Sequence, residues 1–120
     1  MIKRTFAEEF LIEGLRDYLS MSWAASVVTP EDDSTLFEDN RAAAVGMVTL
    51  LLLEGKIEAI ERVNGGWKRR EEDPGQIAIE MARRWLEEWP NENPTPGALG
   101  WLRNTPLGDD TARASEARGE

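Results

Sequence analysis

The sequence predicts an α+β fold: a mainly helical single domain with one β-hairpin, in winged-helix-like order. Apolar side chains recur at helical spacing in several segments, and an Asn-Gly pair separates two short extended segments. A chain of 120 residues can bury one core without disulfides or metals. We expect residues 1–106 to form one globular domain and residues 107–120 to form a disordered tail.

The first helix is predicted over residues 6–20. Thr5-Phe6-Ala7-Glu8 has the Thr-x-x-Glu form of a capping box, in which both side chains accept hydrogen bonds from free backbone amides. Apolar residues then recur at three- and four-residue spacing as far as Leu19. The next stretch, SMSWAASVV, could continue this helix or lead out as a short extended piece.

Two further helix starts follow. Thr29-Pro30-Glu31-Asp32 combines a capping residue, a proline and first-turn acids, which predicts a short helix over residues 30–37. The segment DNRAAAVGMVTLLLLEG predicts a central helix that is apolar nearly all round, with Asp39 as a candidate cap and Gly55 as the stop. Gly46 inside this helix predicts a close approach by a neighbouring helix.

Residues 56–63 and 67–71 predict the β-hairpin, joined by a type I′ turn at Asn64-Gly65 or by a turn at Gly65-Gly66. Asp73 and Pro74 then open a helix that Pro90 ends. Its apolar stripe contains Trp85 and Trp89, which we expect in the core. A connector rich in Pro and Asn follows, with an apolar cluster over residues 98–102 that we expect to dock on the body.

The last fourteen residues, LGDDTARASEARGE, contain one large apolar side chain. A segment of this composition buries too little apolar surface to offset the entropy lost on ordering. This is the reason for predicting a disordered tail.

Cysteine and histidine are both absent. Disulfides, thiolate nucleophiles, Cys/His metal sites and a histidine general base are therefore excluded. The acidic run EDDSTLFED also lacks the glycine and the alternating ligands of an EF-hand calcium loop. We expect no enzymatic activity, no cofactor and no metal.

No apolar run approaches the roughly 20 residues that cross a bilayer. The N-terminus, MIKRTFAEEF, lacks the uninterrupted apolar stretch of a signal peptide. The sequence therefore predicts a cytoplasmic protein without membrane contact.

The formal net charge of -9 is unevenly distributed. Residues 21–40 contain five carboxylates and no Lys or Arg, so their field attracts a basic partner and repels a polyanion. We predict that this segment contacts a basic protein through Glu31, Asp32, Asp33, Glu38 and Asp39. A solvated loop without a partner is the alternative interpretation.

Two tryptophans are candidate anchors for the same partner. Trp23 and Trp101 lie in irregular stretches, where a partly exposed tryptophan is common at interfaces. Burial in the core is the alternative for both residues.

A winged-helix transcription regulator is the alternative function. The residues that would contact DNA are Arg41, Arg62, Lys68, Arg69 and Arg70. Neighbouring acids oppose the field of the hairpin, and Glu38 and Asp39 would meet the phosphates at the leading end of the helix before it. Nucleic acid is therefore the less favoured partner.

Four segments follow one another in a distinctive order: the apolar helix running into LLLLEGKI, the hairpin AIERVNGGWKRR, the helix ending WLEEWP, and PGALGWL. In this order they resemble a family of short bacterial proteins regarded as immunity proteins of toxin systems. The resemblance covers about half of the chain, from Ala43 to Trp101. It implies a non-enzymatic protein that binds and neutralises a partner, so we expect an immunity-type inhibitor that masks a basic protein such as a toxin.

Overall fold

The structure, a computed structural model, describes residues 3–119, which form five α-helices and three β-strands. The elements are α1 (Phe6–Glu13), α2 (Met21–Val28), α3 (Phe37–Leu53), β1 (Ile57–Val63), β2 (Gly66–Arg69), α4 (Pro74–Glu88), β3 (Trp101–Asn104) and α5 (Pro106–Gly119). The prediction of a mainly helical α+β single domain is confirmed, and so is the order of a long helix followed by a hairpin.

The strands form one antiparallel sheet in the order β2-β1-β3. β1 and β2 are the predicted hairpin, with Val63 opposite Gly66. The sequence analysis missed β3, which pairs with β1 so that Ala59 lies opposite Leu102. The four residues of β3 are two apolar residues followed by two polar ones, so they lack the alternation that would predict a strand. The predicted docking of this segment is confirmed, because Leu99 and Leu102 are buried.

The turn of the hairpin consists of Asn64 and Gly65. A type I′ turn needs a positive φ at both central residues. Gly65 has φ +86°, but Asn64 is not among the non-glycine residues of the described chain with a positive φ. The predicted position of the turn is correct, and the type I′ geometry was wrong.

The predicted first helix begins at residue 6 as expected, but its predicted end at residue 20 was wrong, because α1 ends at Glu13. The stretch SMSWAASVV neither continues α1 nor runs extended, since it forms the separate helix α2. The capping box between Thr5 and Glu8 is present as predicted. α1 ends at Glu13 because the chain turns to place Leu19 beside β3, where Leu19 and Leu102 exchange two backbone hydrogen bonds of 2.8 Å.

The predicted helix over residues 30–37 was also wrong. Thr29 ends α2 instead of starting a helix, and its hydroxyl donates to the carbonyl oxygen of Ala25 at 2.6 Å. Residues 30–36 form a loop. α3 then begins at Phe37 with Leu36 at the N-cap, so Asp39 lies in the first turn and is not the cap.

α3 and α4 supply the centre of the core. The buried side chains of α3 are Ala44, Val48, Leu51 and Leu52, and those of α4 are Ile77, Ala78, Met81 and Trp85. Trp85 is confirmed as a core residue, whereas Trp89 is half-buried. Leu50 and Leu53 are 57% and 62% exposed, so α3 is not buried all round. Within the described part of the chain, no atom would lie within 4 Å of a Cβ at Gly46, so the predicted close approach was wrong.

The predicted disorder over residues 107–120 was wrong as far as Gly119, because α5 packs against α1. Ala112 is fully buried and the exposure of Ser115 is 1%. Small residues on one side of α5 let the two helices approach closely, so docking does not require large apolar side chains. Two ion pairs, Arg16 with Glu116 and Arg118 with Glu8, reinforce this contact. Residue 120 lies outside the described residues.

Candidate functional site

The acidic loop, which we define as residues 31–39, follows α2 and includes the first turn of α3. Its five carboxylates belong to exposed residues: Glu31, Asp32, Asp33, Glu38 and Asp39. Within residues 3–119, none of the five lies within 4.0 Å of a basic group. The structure therefore places all five predicted acids on one exposed segment with their charge uncompensated by ion pairs.

Local hydrogen bonds shape the acidic loop. The carboxylate of Asp32 accepts from the backbone amide of Ser34 at 3.0 Å. Hydrogen bonds from the side chain and then the backbone of Ser34 lower the pKa of Asp32. Leu36, which is 68% exposed, lies between the two groups of acids. The loop therefore presents charges on both sides of an apolar side chain.

A second surface, which we name the aromatic groove, lies where the turn before α2 meets the segment that enters β3. It encloses about 290 Å³ and is lined by Glu13, Asp17, Tyr18, Ser20, Ser22, Trp23, Ser26, Pro96 and Trp101. The two predicted anchors, Trp23 and Trp101, are thus brought together although they are far apart in sequence. The sequence analysis missed Tyr18, because it counted this residue in the apolar stripe of the helix predicted over residues 6–20.

Local contacts position the two tryptophans of the groove. Ser20 caps α2 by accepting from the backbone amide of Trp23 at 3.2 Å, which fixes Trp23 in the first turn. Trp101 packs on Gly97, where a built Cβ would lie 2.6 Å from the indole ring. The exposures of Tyr18 and Trp23 are 41% and 37%, and Trp101 is half-buried. Neither Trp23 nor Trp101 is a core residue.

The acidic loop and the aromatic groove flank α2. Trp23 lies near the start of this helix and Glu31 lies just beyond its end. An eight-residue helix is about 12 Å long. The exposed side chain of Ser26 lies between them along the helix. One partner surface of ordinary size would therefore be able to cover both.

The five basic residues of the alternative DNA site do not form one free surface. Lys68 lies 3.4 Å from Glu61, and Arg70 bonds to Glu72 and Glu80 at 2.8 Å, which raises the pKa of Arg70. The guanidinium of Arg62 lies 5.2 Å from the ring centre of Trp67.

The remaining two basic residues are far from each other in the fold. Arg41 lies near the start of α3, stacks on Phe37 and donates to the carbonyl oxygen of Pro90 at 2.9 Å. Arg69 is exposed on β2, which follows the opposite end of α3. The structure thus places Arg41 away from the hairpin residues.

A larger cleft of about 490 Å³ lies between α1, α3 and α5. Glu8 lines it, and the backbone amide of Thr5 together with the guanidinium of Arg118 holds the pKa of Glu8 at about 2. A carboxylate with so low a pKa is a poor general acid or base near neutral pH. Its contact with Arg118 ties α5 to α1.

Among residues 3–119 there is no group of three or more acidic side chains placed to hold a metal ion. No helix in the same range is long and apolar enough to cross a membrane. No family model matches the sequence, and neither a curated protein nor a solved structure matches the chain.

Proposed function

We propose that this chain is a non-enzymatic protein-binding module of immunity type, which masks a basic partner protein such as a toxin in the cytoplasm. The observation that carries the proposal is the acidic loop, whose five exposed carboxylates have no ion pair within the described chain. Carboxylates that are already solvated and unpaired can contact a partner's Lys and Arg without first breaking internal ion pairs.

The acidic loop and the aromatic groove make different contributions in this proposal. Exposed carboxylates mainly raise the association rate and select partners by charge, while their contribution to affinity is small. Affinity comes from side chains that become buried, and partly exposed tryptophans are among the most effective. Trp23 and Trp101 supply such side chains within reach of the loop. The loop therefore steers the partner and the groove retains it.

Two charge-matched variants test the role of the acidic loop. The loop variant carries Glu31→Gln, Asp33→Asn, Glu38→Gln and Asp39→Asn. Asp32 is retained because it accepts from Ser34, and Asn tolerates the φ of +54° at Asp33. The control variant neutralises four exposed acids elsewhere that also have no ion pair among residues 3–119: Glu71→Gln, Glu87→Gln, Glu92→Gln and Asp110→Asn.

Both variants change the formal net charge from -9 to -5, so a difference between them reports position and not total charge. Each protein is immobilised and used to capture partners from an extract of the source cell at about 0.1 M salt, where screening is moderate. The original chain should recover one stoichiometric basic protein. The loop variant should recover at least about tenfold less, and the control variant should recover nearly as much as the original.

Recovery of no stoichiometric partner by the original chain would contradict the proposal. An equal loss of partner in the loop and control variants would contradict it as well, because the loop would then have no special role. Thermal unfolding of both variants provides the check on folding, since each first-turn acid of α3 stabilises the helix by about 0.3–1 kcal/mol.

A winged-helix regulator is the second candidate, favoured by the order of α3 and the hairpin. The acidic residues that pair with Lys68 and Arg70 reduce the positive charge available to phosphates. We expect no binding to a labelled mixed duplex at low ionic strength, measured by fluorescence anisotropy. Micromolar affinity with a steep dependence on salt would instead support the regulator.

A further inference from the structure

The aromatic groove combines aromatic side chains and carboxylates without a cation. Its lining includes Tyr18, Trp23 and Trp101 together with Glu13 and Asp17, and no Lys or Arg of the described chain lines it. Aromatic faces attract cations through the ring quadrupole, and carboxylates attract them directly. The chemistry of this groove therefore matches a positively charged group.

A neighbouring cleft is also lined by tryptophans, but arginines of the chain itself lie beside them. Trp101 also lines this second cleft, together with Trp67, Arg62 and Arg70. There the guanidinium of Arg62 lies 5.2 Å from the ring centre of Trp67, so a cation of the chain itself occupies the aromatic face. The two clefts share Trp101 and differ in that only the second contains its own arginines.

Asp17 has a fixed position in the aromatic groove. One of its carboxylate oxygens, Oδ1, accepts from the backbone amide of Tyr18 at 2.7 Å. Asp17 is exposed and also lines an adjoining cleft that contains Arg16, Arg103 and Arg113. No basic group of the described chain lies within 4.0 Å of its carboxylate, so none of these arginines forms an ion pair with it. The backbone contact holds the side chain in place, and the second oxygen, Oδ2, stays available to a donor from outside.

We propose that the aromatic groove binds an arginine side chain of the partner, with the guanidinium stacked between Trp23 and Trp101 and hydrogen-bonded to Asp17. A guanidinium is planar, weakly hydrated and rich in N–H donors, so it stacks on rings better than an ammonium group. Arg62 on Trp67 and Arg41 on Phe37 show this same contact within the chain. The inference rests on the proposed function in one respect: the arginine belongs to the basic partner that the acidic loop contacts.

A short peptide tests the groove without knowledge of the partner. The probe is acetyl-Gly-Arg-Gly-amide, and the control is the same peptide with citrulline, which has nearly the shape of arginine but no charge. The chain has five tryptophans, hence five indole N–H signals in an NMR spectrum, and Trp23→Phe and Trp101→Phe variants assign the two of interest. The arginine peptide should shift both signals with a dissociation constant in the millimolar range. The citrulline peptide should not shift them.

Asp17→Asn keeps the side-chain oxygen that accepts from Tyr18 but removes the charge. It should weaken binding of the arginine peptide by about tenfold, whereas the exposed control Asp110→Asn should change it less than about twofold. Equal shifts with the two peptides, no shift at Trp23 and Trp101, or equal binding by Asp17→Asn and the original chain would each overturn the inference.

The outcomes separate this inference from the proposed function. If the loop variant loses the captured partner but the arginine peptide does not bind, the function stands and the arginine site is wrong. If the arginine peptide binds but the loop and control variants capture equally, the arginine site stands and the loop's role is wrong.

Discussion

The side-chain amide nitrogen of Asn104 donates a hydrogen bond of 2.8 Å to the backbone carbonyl oxygen of Leu11, 93 residues away in the chain. This carbonyl belongs to the last turn of α1, where the oxygens have no partner within the helix. The contact therefore caps the C-terminal end of α1 with a residue of β3. It joins the N-terminal helix to the edge of the sheet.

Asn104→Ala should lower the free energy of unfolding by about 1 kcal/mol. The substitution leaves the Leu11 carbonyl without its donor, but it also removes the side-chain oxygen of Asn104, which is buried and accepts no hydrogen bond from residues 3–119. The loss should be measured by urea denaturation. The exposed control Asn93→Ala should change stability by less than about 0.5 kcal/mol. Equal effects of the two variants would show that the Asn104 contact does not stabilise the fold.

Glu8 should make the free energy of unfolding depend on pH in the acidic range. The amide of Thr5 and the guanidinium of Arg118 lower its pKa from 4.5 to about 2 in the folded chain. Because the folded pKa lies below the unfolded one, this contribution is complete above pH 4.5 and is lost as the pH falls towards 2. Glu8→Gln should therefore be less stable than the original chain at neutral pH. The difference should vanish near pH 2 in denaturation curves measured across this range.

Arg118→Met provides the second measurement for Glu8. It removes the other side chain of the pair and leaves the capping box with Thr5 intact. The pH dependence of its free energy of unfolding should lie between those of the original chain and the Glu8→Gln variant. Parallel stability profiles of the original chain and Glu8→Gln between pH 2 and 6 would contradict the assigned pKa.

Two helical glycines should respond oppositely to alanine. A Cβ on Gly108 would lie 1.9 Å from the carbonyl oxygen of Lys56, which is backbone and has little freedom to move. Gly108→Ala should therefore lower the free energy of unfolding by about 2–3 kcal/mol. Gly46→Ala meets no atom within 4 Å inside α3 and should raise it by about 0.5–1 kcal/mol. Thermal unfolding compares the two, and destabilisation by Gly46→Ala would contradict the open space found there.

Gly97→Ala should disturb the aromatic groove. Gly97 has φ +80°, and an added Cβ would lie 2.6 Å from the indole ring of Trp101. The variant should lose about 2–4 kcal/mol of stability, from backbone strain and from displacement of the ring, and the Trp101 indole signal should shift. Gly65→Ala is the matched control, because its φ is +86° with no atom within 4 Å. It should lose only about 1 kcal/mol and leave the Trp101 signal in place.

Capping and turn residues in the sequence identified the elements whose ends are determined by residues next to those ends. The predicted helix that starts at Asp73 and Pro74 is confirmed. Its start was predictable because the cap and the fixed φ of proline act within one turn. The turn at Asn64 and Gly65 was located for the same reason. Thr29 and Pro30 look equally favourable as a helix start, but Thr29 instead ends α2. A local pattern does not reveal whether such a residue ends the preceding helix or starts the next one.

Elements that depend on distant partners were not predictable from local patterns. β3 exists because Leu102 pairs with Ala59 on one side and with Leu19 on the other. α5 is ordered because small residues such as Ala112 fit against α1, a contact that composition does not encode. The aromatic groove has the same origin, since it joins Tyr18 and Trp101 from segments that are distant in the chain. The exposed acids of the loop were easier to predict, because unpaired charges seldom enter a core.

The hairpin has a consequence for how the molecule behaves in a concentrated solution. β2 is one of the two edge strands of the sheet, and its backbone edge is a potential template for strands of other molecules. It is only four residues long, and two of them, Lys68 and Arg69, are charged and exposed. Shortness and charged side chains on an edge strand discourage its pairing with a strand of another molecule. The charged residues of β2 thus disfavour the addition of a strand from another molecule at this edge.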